Sequence, residues 1–315
     1  MDNRKGTILR IERLSNQDGD GLRTVVFFKG CPLRCAWCST PESHASAPEW
    51  SYRAGKCVGC GTCVHACPTG ALSLQQGRLV QNLDACVQCF ACAQICPTQA
   101  IQIYGQEMTV PQIMKQIRKD QVYFFHSGGG VTLSGGDILL QADFARELLM
   151  ACQDEVINTS AEMDFYGSYQ NVQKLLPYLD SIYIDVKMMD PQRHKKWTGV
   201  DNQTILDNIA RADRECRPGQ LRIRVPLIAG INNDRENVLR TAEFCASLSS
   251  CGSLEFLPYH RLGTSTYQYL GRPYPLADME AMSRETAVEQ VQFLTDADWP
   301  FRIEVSGALI KAAAR

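Results

Sequence analysis

The 315-residue sequence predicts an α/β fold built on a parallel sheet and interrupted near its N-terminus by a small cysteine-rich unit. Two observations carry this expectation. From residue 106 onward, short β-branched or aromatic runs alternate with amphipathic stretches of helical length. Repeated β–α units place helices over the sheet, as a barrel or as an open doubly wound sheet, and periodicity alone does not choose between these. Eleven of the fifteen cysteines fall between Cys31 and Cys96. Composition is otherwise that of a globular protein, with 45% apolar residues, 21% charged residues and a net charge of -2. No basic excess suggests nucleic acid, and no like-charge run suggests a tail. The N-terminus lacks the apolar run of a signal peptide, and no stretch is long enough to span a membrane, so a cytoplasmic protein is expected.

The elements follow in order. Residues 7–13 alternate and residues 24–28 are β-branched and aromatic, so both read as strands. Beyond the cysteine-rich segment, a helix is expected over 110–119, with Pro111 at its start. Strands at 131–134, 156–160, 181–186, 221–227 and 254–258 alternate with helices at 141–152, 172–179, 203–216, 235–248 and 279–294, and residues 301–305 read as a final strand. In either topology the functional site belongs at the C-terminal ends of the strands. Ser127 to Gly130 is glycine-rich without the spacing of a phosphate-binding loop and reads as a flexible approach to a strand.

Segment 53–103 holds an internal repeat. CVGCGTCVHACPTGALSL is followed 29 residues later by CVQCFACAQICPTQAIQI. The run Cys-x-x-Cys-x-x-Cys-x-x-x-Cys-Pro binds four-iron clusters in bacterial ferredoxins, with the last cysteine crossing to the other cluster. Cys57, Cys60 and Cys63 are therefore expected to share a cluster with Cys96, and Cys86, Cys89 and Cys92 with Cys67. Structural zinc sites pair two Cys-x-x-Cys knuckles across a longer gap, which fits this run poorly. Disulfides suit a reducing compartment still less.

Cys31, Cys35 and Cys38 form a different group, in the stretch CPLRCAWC. Three thiolates without an obvious fourth leave one iron of a cluster open, as a catalytic site requires. The rival reading is a site completed by a distant cysteine. Cys152, Cys216, Cys245 and Cys251 remain, on or beside predicted helices, and read as small packing residues.

Cys-x-x-x-Cys-x-x-Cys directly after a first strand, with aromatic Trp37 before the last cysteine, resembles the signature of the radical S-adenosylmethionine (SAM) superfamily. The longer stretch QDGDGLRTVVFFKGCPLRCAWCSTPES resembles the glycyl radical enzyme activating enzymes, whose Asp-Gly-x-Gly-x-Arg is matched by Asp18, Gly19, Gly21 and Arg23. The likeness continues through SGGD, AEMD, IDVK, TGVDN, IRVPLIAGIN and LPYHRLG. It implies a partial parallel (β/α) barrel, discontinuous over 1–52 and 104–315, with a ferredoxin-like domain inserted at 53–103. It further implies three four-iron clusters, SAM as the source of a radical, and a partner glycyl radical enzyme whose backbone glycine is the substrate. Reduced flavodoxin or ferredoxin is the expected electron donor. The Asp-Gly-Asp-Gly variant points to choline trimethylamine-lyase as partner, with 4-hydroxyphenylacetate decarboxylase, isethionate sulfite-lyase and glycerol dehydratase as alternatives.

The resemblance assigns further residues to SAM. Gly135, Gly136 and Asp137 stand where the family has Gly-Gly-Glu, with an acid one methylene shorter. Glu162, Asp185 and Lys187 fall at strand ends, and the two acids are expected to help hold a monovalent cation beside SAM. Arg224 lies among apolar residues on a strand and needs an anionic partner, either SAM or a neighbouring acid. His260 ends another strand, and Trp37 flanks the cluster. A radical SAM enzyme acting on a small molecule or peptide is the second reading. A pure electron carrier accounts for eight cysteines but not for the scaffold beyond them.

Overall fold

In the computed structural model, which describes residues 4–82 and 84–314, a ten-stranded sheet forms the body of the chain. Its first strands, β1 (Lys5–Ser15) and β2 (Arg23–Phe28), pair antiparallel. Then come β3 (Glu49–Tyr52), β4 (Leu72–Gln75), β5 (Arg78–Gln81), β6 (Ile101–Tyr104) and β7 (Gln106–Thr109). The main series continues with β8 (Gly130–Gly135), β9 (Asn158–Met163), β10 (Ser181–Asp185), β11 (Leu221–Leu227), β12 (Cys251–Pro258), β13 (Arg302–Val305) and β14 (Ala308–Lys311). The sheet order is β14-β13-β12-β11-β10-β9-β8-β2-β1-β7. Strand β2 and strands β8 through β13 are mutually parallel, while β1, β7 and β14 are antiparallel additions at the two edges.

Alternation along each strand gives the sheet two unlike faces. One face is apolar: Val26 and Phe28 of β2, Val131 and Leu133 of β8, Ile182 and Ile184 of β10, and Ile223 and Val225 of β11 lie in one core beneath the helices. Each such side chain contributes about 1.5–3 kcal/mol by leaving water. The other face is polar, carrying Arg23, Ser134, Glu162, Tyr183, Arg224 and Glu255. It is concave, because Arg222 of β11 pairs at 2.5 Å with Asp20 in the β1–β2 loop although three strands separate β2 from β11.

Local chemistry sets the helix limits. The helix Val110–Ile117 opens on a capping box between Thr109 and Gln112. Residues 279–283 precede the last long helix instead of belonging to it. There the Met282 N–H donates to Tyr259 O, and Ser283 caps the helix that starts at Arg284 by accepting from Thr286 N–H. The glycine-rich stretch before β8 is tightly packed rather than flexible. A Cβ on Gly129 would lie 1.9 Å from Leu22 O, and one on Gly130 would lie 2.0 Å from Asn158 O.

Strands β3 and β6 pair antiparallel and bracket the cysteine-rich segment; residue 53 falls just after β3 and residue 103 inside β6. Inside it, β4 and β5 form a hairpin, and a short helix lies within each cysteine run, at Thr62–His65 around Cys63 and at Ala91–Gln94 around Cys92.

The helix Ala142–Asp154 ends in a Schellman motif: Ile157 N–H donates to Cys152 O at 3.0 Å and Val156 N–H to Gln153 O at 2.9 Å. The left-handed position is Val156, at φ 57° and 94% exposed, where a β-branched side chain is strained. Val156→Gly should therefore raise stability by about 0.5–1 kcal/mol, the relief of strain exceeding glycine's entropic cost. A thermal melt showing a lower midpoint would contradict this.

Candidate functional site

The C-terminal ends of the parallel strands converge on the loop 31–38. This loop leaves β2 through Gly30 and docks on the end of the helix Pro191–Thr198. Arg34 N–H donates to Thr198 O at 2.7 Å and Ala36 N–H to Trp197 O at 3.0 Å. The turn after β8 presses against the loop's start. A Cβ on Gly136 would lie 2.0 Å from Gly30 O, and Gly135 has φ 115°. Both glycines are demanded by this approach of backbone to backbone.

Leu33, Cys35 and Trp37 bury themselves against Met188, Ile228, Ile231 and Tyr259. The Trp37 ring is thus part of an apolar wall behind the cysteines. Burial pushes all three thiols up from their ordinary value, Cys38 to about 11 and Cys31 and Cys35 further. The nearby Lys187 ammonium opposes that push at Cys35 and Cys38 without cancelling it.

Beside the loop, the Lys187 ammonium is buried between two carboxylates, 2.7 Å from Asp164 and 2.8 Å from Asp185. Burial opposes its charge, but Asp164 and Asp185 outweigh burial and hold the lysine protonated. Asp164 also receives the Cys31 thiol at 3.6 Å. The segment carrying Lys187 is fixed by buried asparagines. Asn232 Nδ2 donates to Lys187 O and Pro226 O, and Asn202 Nδ2 donates to Met188 O and Met189 O.

Asp137 is fully buried and faces backbone. Its carboxylate accepts from Leu139 N–H at 2.8 Å and from Asp164 N–H at 3.3 Å. Burial, then the nearby Asp164, pushes it up to about 8. Glu162 accepts from Arg224 Nη1 at 2.5 Å and from Ser134 Oγ at 2.6 Å. Arg224 donates through Nε to Glu255 at 2.8 Å, and its guanidinium lies 4.0 Å from the centroid of the Tyr183 ring. Its anionic partners are therefore neighbouring acids. Of the two acids expected to help hold a cation, Glu162 pairs with Arg224 and Asp185 with Lys187. His260 is exposed at the end of β12, with Leu262 N–H donating to its Nδ1 at 3.4 Å.

The sequence reading named Glu162 and not Asp164, and in the structure Asp164 is the acid that contacts Cys31 and Lys187. The two acids sit two residues apart in AEMD, and only the strand's end decides which one reaches Cys31. The buried asparagines Asn202 and Asn232 are not singled out in the sequence analysis above. The one signal for them was polar residues just beyond strand ends.

In the cysteine-rich segment, one cavity is lined by Cys57, Cys60, Cys63 and Cys96, and another by Cys67, Cys86, Cys89 and Cys92. Each combines three cysteines of one run with the last cysteine of the other. Several sulfurs already accept hydrogen bonds, as Cys67 does from Ala71 N–H at 3.2 Å. Among the described residues, no three His, Cys, Asp or Glu side chains converge as ligands of a single metal ion. A four-iron cube joins each thiolate to a different iron, so its ligands stand further apart.

Comparison with known proteins agrees with this chemistry. The model of the radical SAM superfamily matches residues 25–242. The chain is 40% identical over 301 residues to the (2S)-3-sulfopropanediol dehydratase activating enzyme of Klebsiella oxytoca, covering 92% of this chain and 93% of that one. It is 36% identical over 298 residues to the choline trimethylamine-lyase activating enzyme of Oleidesulfovibrio alaskensis, covering 93% and 95%. It is 34% identical over 303 residues to the trans-4-hydroxy-L-proline dehydratase activating enzyme of Clostridioides difficile, covering 95% and 99%.

If Asp137 serves mainly to hold backbone, Asp137→Ala should destabilise the chain by roughly 2–4 kcal/mol, because two buried N–H groups lose their acceptor. Asp137→Asn keeps one acceptor and should cost about half as much. Equal stability of all three chains in urea titrations would remove this role.

Proposed function

The chain belongs to the radical SAM superfamily and is a glycyl radical enzyme activating enzyme, and on that premise we propose which of its residues carry the chemistry. Cys31, Cys35 and Cys38 would hold the SAM-binding four-iron cluster. The observation that carries this assignment is three thiols on one loop at the C-terminal ends of parallel strands, Cys35 buried and Cys31 and Cys38 partly buried, packed against one apolar cluster. Residues 53–103 would form a ferredoxin-like domain with two further clusters, inserted between 1–52 and 104–315. Support comes from the two four-cysteine cavities, each mixing the two runs as a crossed pair of clusters requires.

A four-iron cluster held by Cys31, Cys35 and Cys38 would supply the electron for reductive cleavage of SAM, the chemistry by which this family abstracts hydrogen from a backbone glycine of the partner enzyme. The chain's own part is to bind, orient and shield. Gly135 and Gly136 bring bare backbone to the edge of the loop, where the SAM amino group would be held by carbonyls. Asp137 fixes Asp164 through its amide, and so acts on the site from behind. Lys187 offsets the charge of Asp164 and Asp185. Arg224, bound by Glu162 and Glu255, supplies a guanidinium already oriented on the concave face. Leu33, Trp37, Ile228 and Tyr259 exclude water from one side of the cysteines. His260 stands free at the mouth for the nucleoside end.

The partner is a glycyl radical enzyme. Relatives that serve sulfopropanediol, choline and hydroxyproline enzymes lie within 34–40% identity of this chain. Similarity at that level follows the shared glycine-loop chemistry, because an activating enzyme never meets its partner's substrate. Electrons would enter through the inserted domain from reduced flavodoxin or ferredoxin.

Anaerobically reconstituted protein should bind about twelve irons per chain and, with dithionite and SAM, release 5′-deoxyadenosine. Cys35→Ala should abolish that release, whereas Cys89→Ala should retain part of it with a strong artificial reductant. Equal and complete loss in both variants would count against separate roles for the clusters. Incubation with a panel of glycyl radical enzymes, read by the glycyl radical signal in electron paramagnetic resonance, identifies the partner.

A further inference from the structure

We propose that strand β3 presents one aromatic hydrogen-bond donor to each four-cysteine site, Trp50 toward Cys92 and Tyr52 toward Cys57, and that these donors set the reduction potentials of the two clusters. This rests on the reading of residues 53–103 as a two-cluster unit and adds residues that the cysteine spacing does not point to.

Trp50 and Tyr52 are two residues apart on β3, so they project from the same face. Their rings stack with centroids 6.0 Å apart at 23°. Both pack in the small core of the cysteine-rich segment, against Leu72, Leu79 and Ile101. Tyr52 lines the cavity of Cys57, Cys60, Cys63 and Cys96. It brings a hydroxyl to the wall that also carries Cys57. Trp50 is assigned to the other site. Its indole Nε1–H is buried and closes no hydrogen bond of normal geometry, and its ring packs in the same small core as Cys67 and Cys92. A buried donor left without an acceptor is costly, and a thiolate is the acceptor within reach.

The strand that carries both rings is fixed from the main sheet. Glu49 at its start accepts from the buried Lys29 at 2.8 Å and pairs with Arg272. Lys29 lies two residues before Cys31. Opposite, Ser51 Oγ donates to Gln102 O at 3.1 Å. The rings are thus held by a rigid connection that runs from the loop 31–38 to the insert. A hydrogen bond to a cluster sulfur stabilises the more negative, reduced state and raises the potential.

The test is a potentiometric titration of the reconstituted full chain, monitored by electron paramagnetic resonance. Added SAM identifies the signal of the Cys31, Cys35 and Cys38 cluster, which leaves two others. Trp50→Phe and Tyr52→Phe keep ring volume and remove the donor. Each should lower the potential of one cluster, a different one for each variant. Unchanged potentials at full iron content, or both variants moving the same cluster, would overturn the proposal. Wild-type iron near four per chain would instead sink the two-cluster reading itself. Should a variant lose iron, wild-type protein carrying 15N-indole tryptophan decides for Trp50. A nitrogen hyperfine coupling to a cluster other than the SAM-binding one supports the donor, and its absence overturns it.

Discussion

The buried ion triad of Asp164, Lys187 and Asp185 is the contact on which the mouth of the sheet depends. An ammonium 5% exposed is tolerable only because two carboxylates neutralise it. Removing Asp164, itself largely buried, leaves charge in a dry place at a cost of about 3–5 kcal/mol, whereas Asp185 is 40% exposed at its side chain and contributes less. The triad also links the ends of β9 and β10. Through Asp164 it reaches Cys31 on one side and the Asp137 carboxylate on the other. One lysine therefore sets the distance between the cysteine loop and the Gly135–Gly136 turn. Asn202 and Asn232 behind it hold that segment through the carbonyls of Lys187, Met188 and Met189.

The sheet answers two demands with one alternation. Helices need an apolar floor, and the strands supply it from every second residue. The remaining residues face inward, where Arg23, Arg222 and Arg224 meet Asp20, Glu162 and Glu255. Arginine suits these positions because its planar fork spans two partners at once, as Arg224 does with Glu162 and Glu255. A polar interior of this kind gives a radical reaction fixed dipoles in place of mobile water.

The cysteine-rich segment relies on a different source of stability. Its core is small, and the proposed clusters would supply the stability that this core lacks. Its two copies repeat even in backbone strain. Gly59, Gly61 and Gly70 have φ 67°, 76° and 65°, and the equivalent Gln88, Phe90 and Gln99 have φ 52°, 59° and 53°. The second copy carries about 1–2 kcal/mol of extra strain at each position. The chain tolerates it because the loops must wrap as the first copy's do to bring four cysteines to each cavity.

Much of this was legible in residue order. Strand β11 was read at its observed limits, and the β–α alternation, the three-cysteine loop and the duplicated runs follow from periodicity and spacing, which act over a few residues. The crossed lining of the two cavities also follows the pairing that spacing implied. What order could not give are relations between strands. The antiparallel edges β7 and β14, the choice of Asp164 over Glu162, and the partners of Arg224 depend on register and on how far each strand runs before it turns. Asp137 shows the same limit: its residue type suggested a ligand-facing acid, yet the packing of β8 against Gly30 turns it to backbone amides. The sequence by itself determined the chemical inventory and its local spacing. Tertiary structure decided which groups meet, because burial, charge pairing and close backbone approach are properties of several strand ends at once.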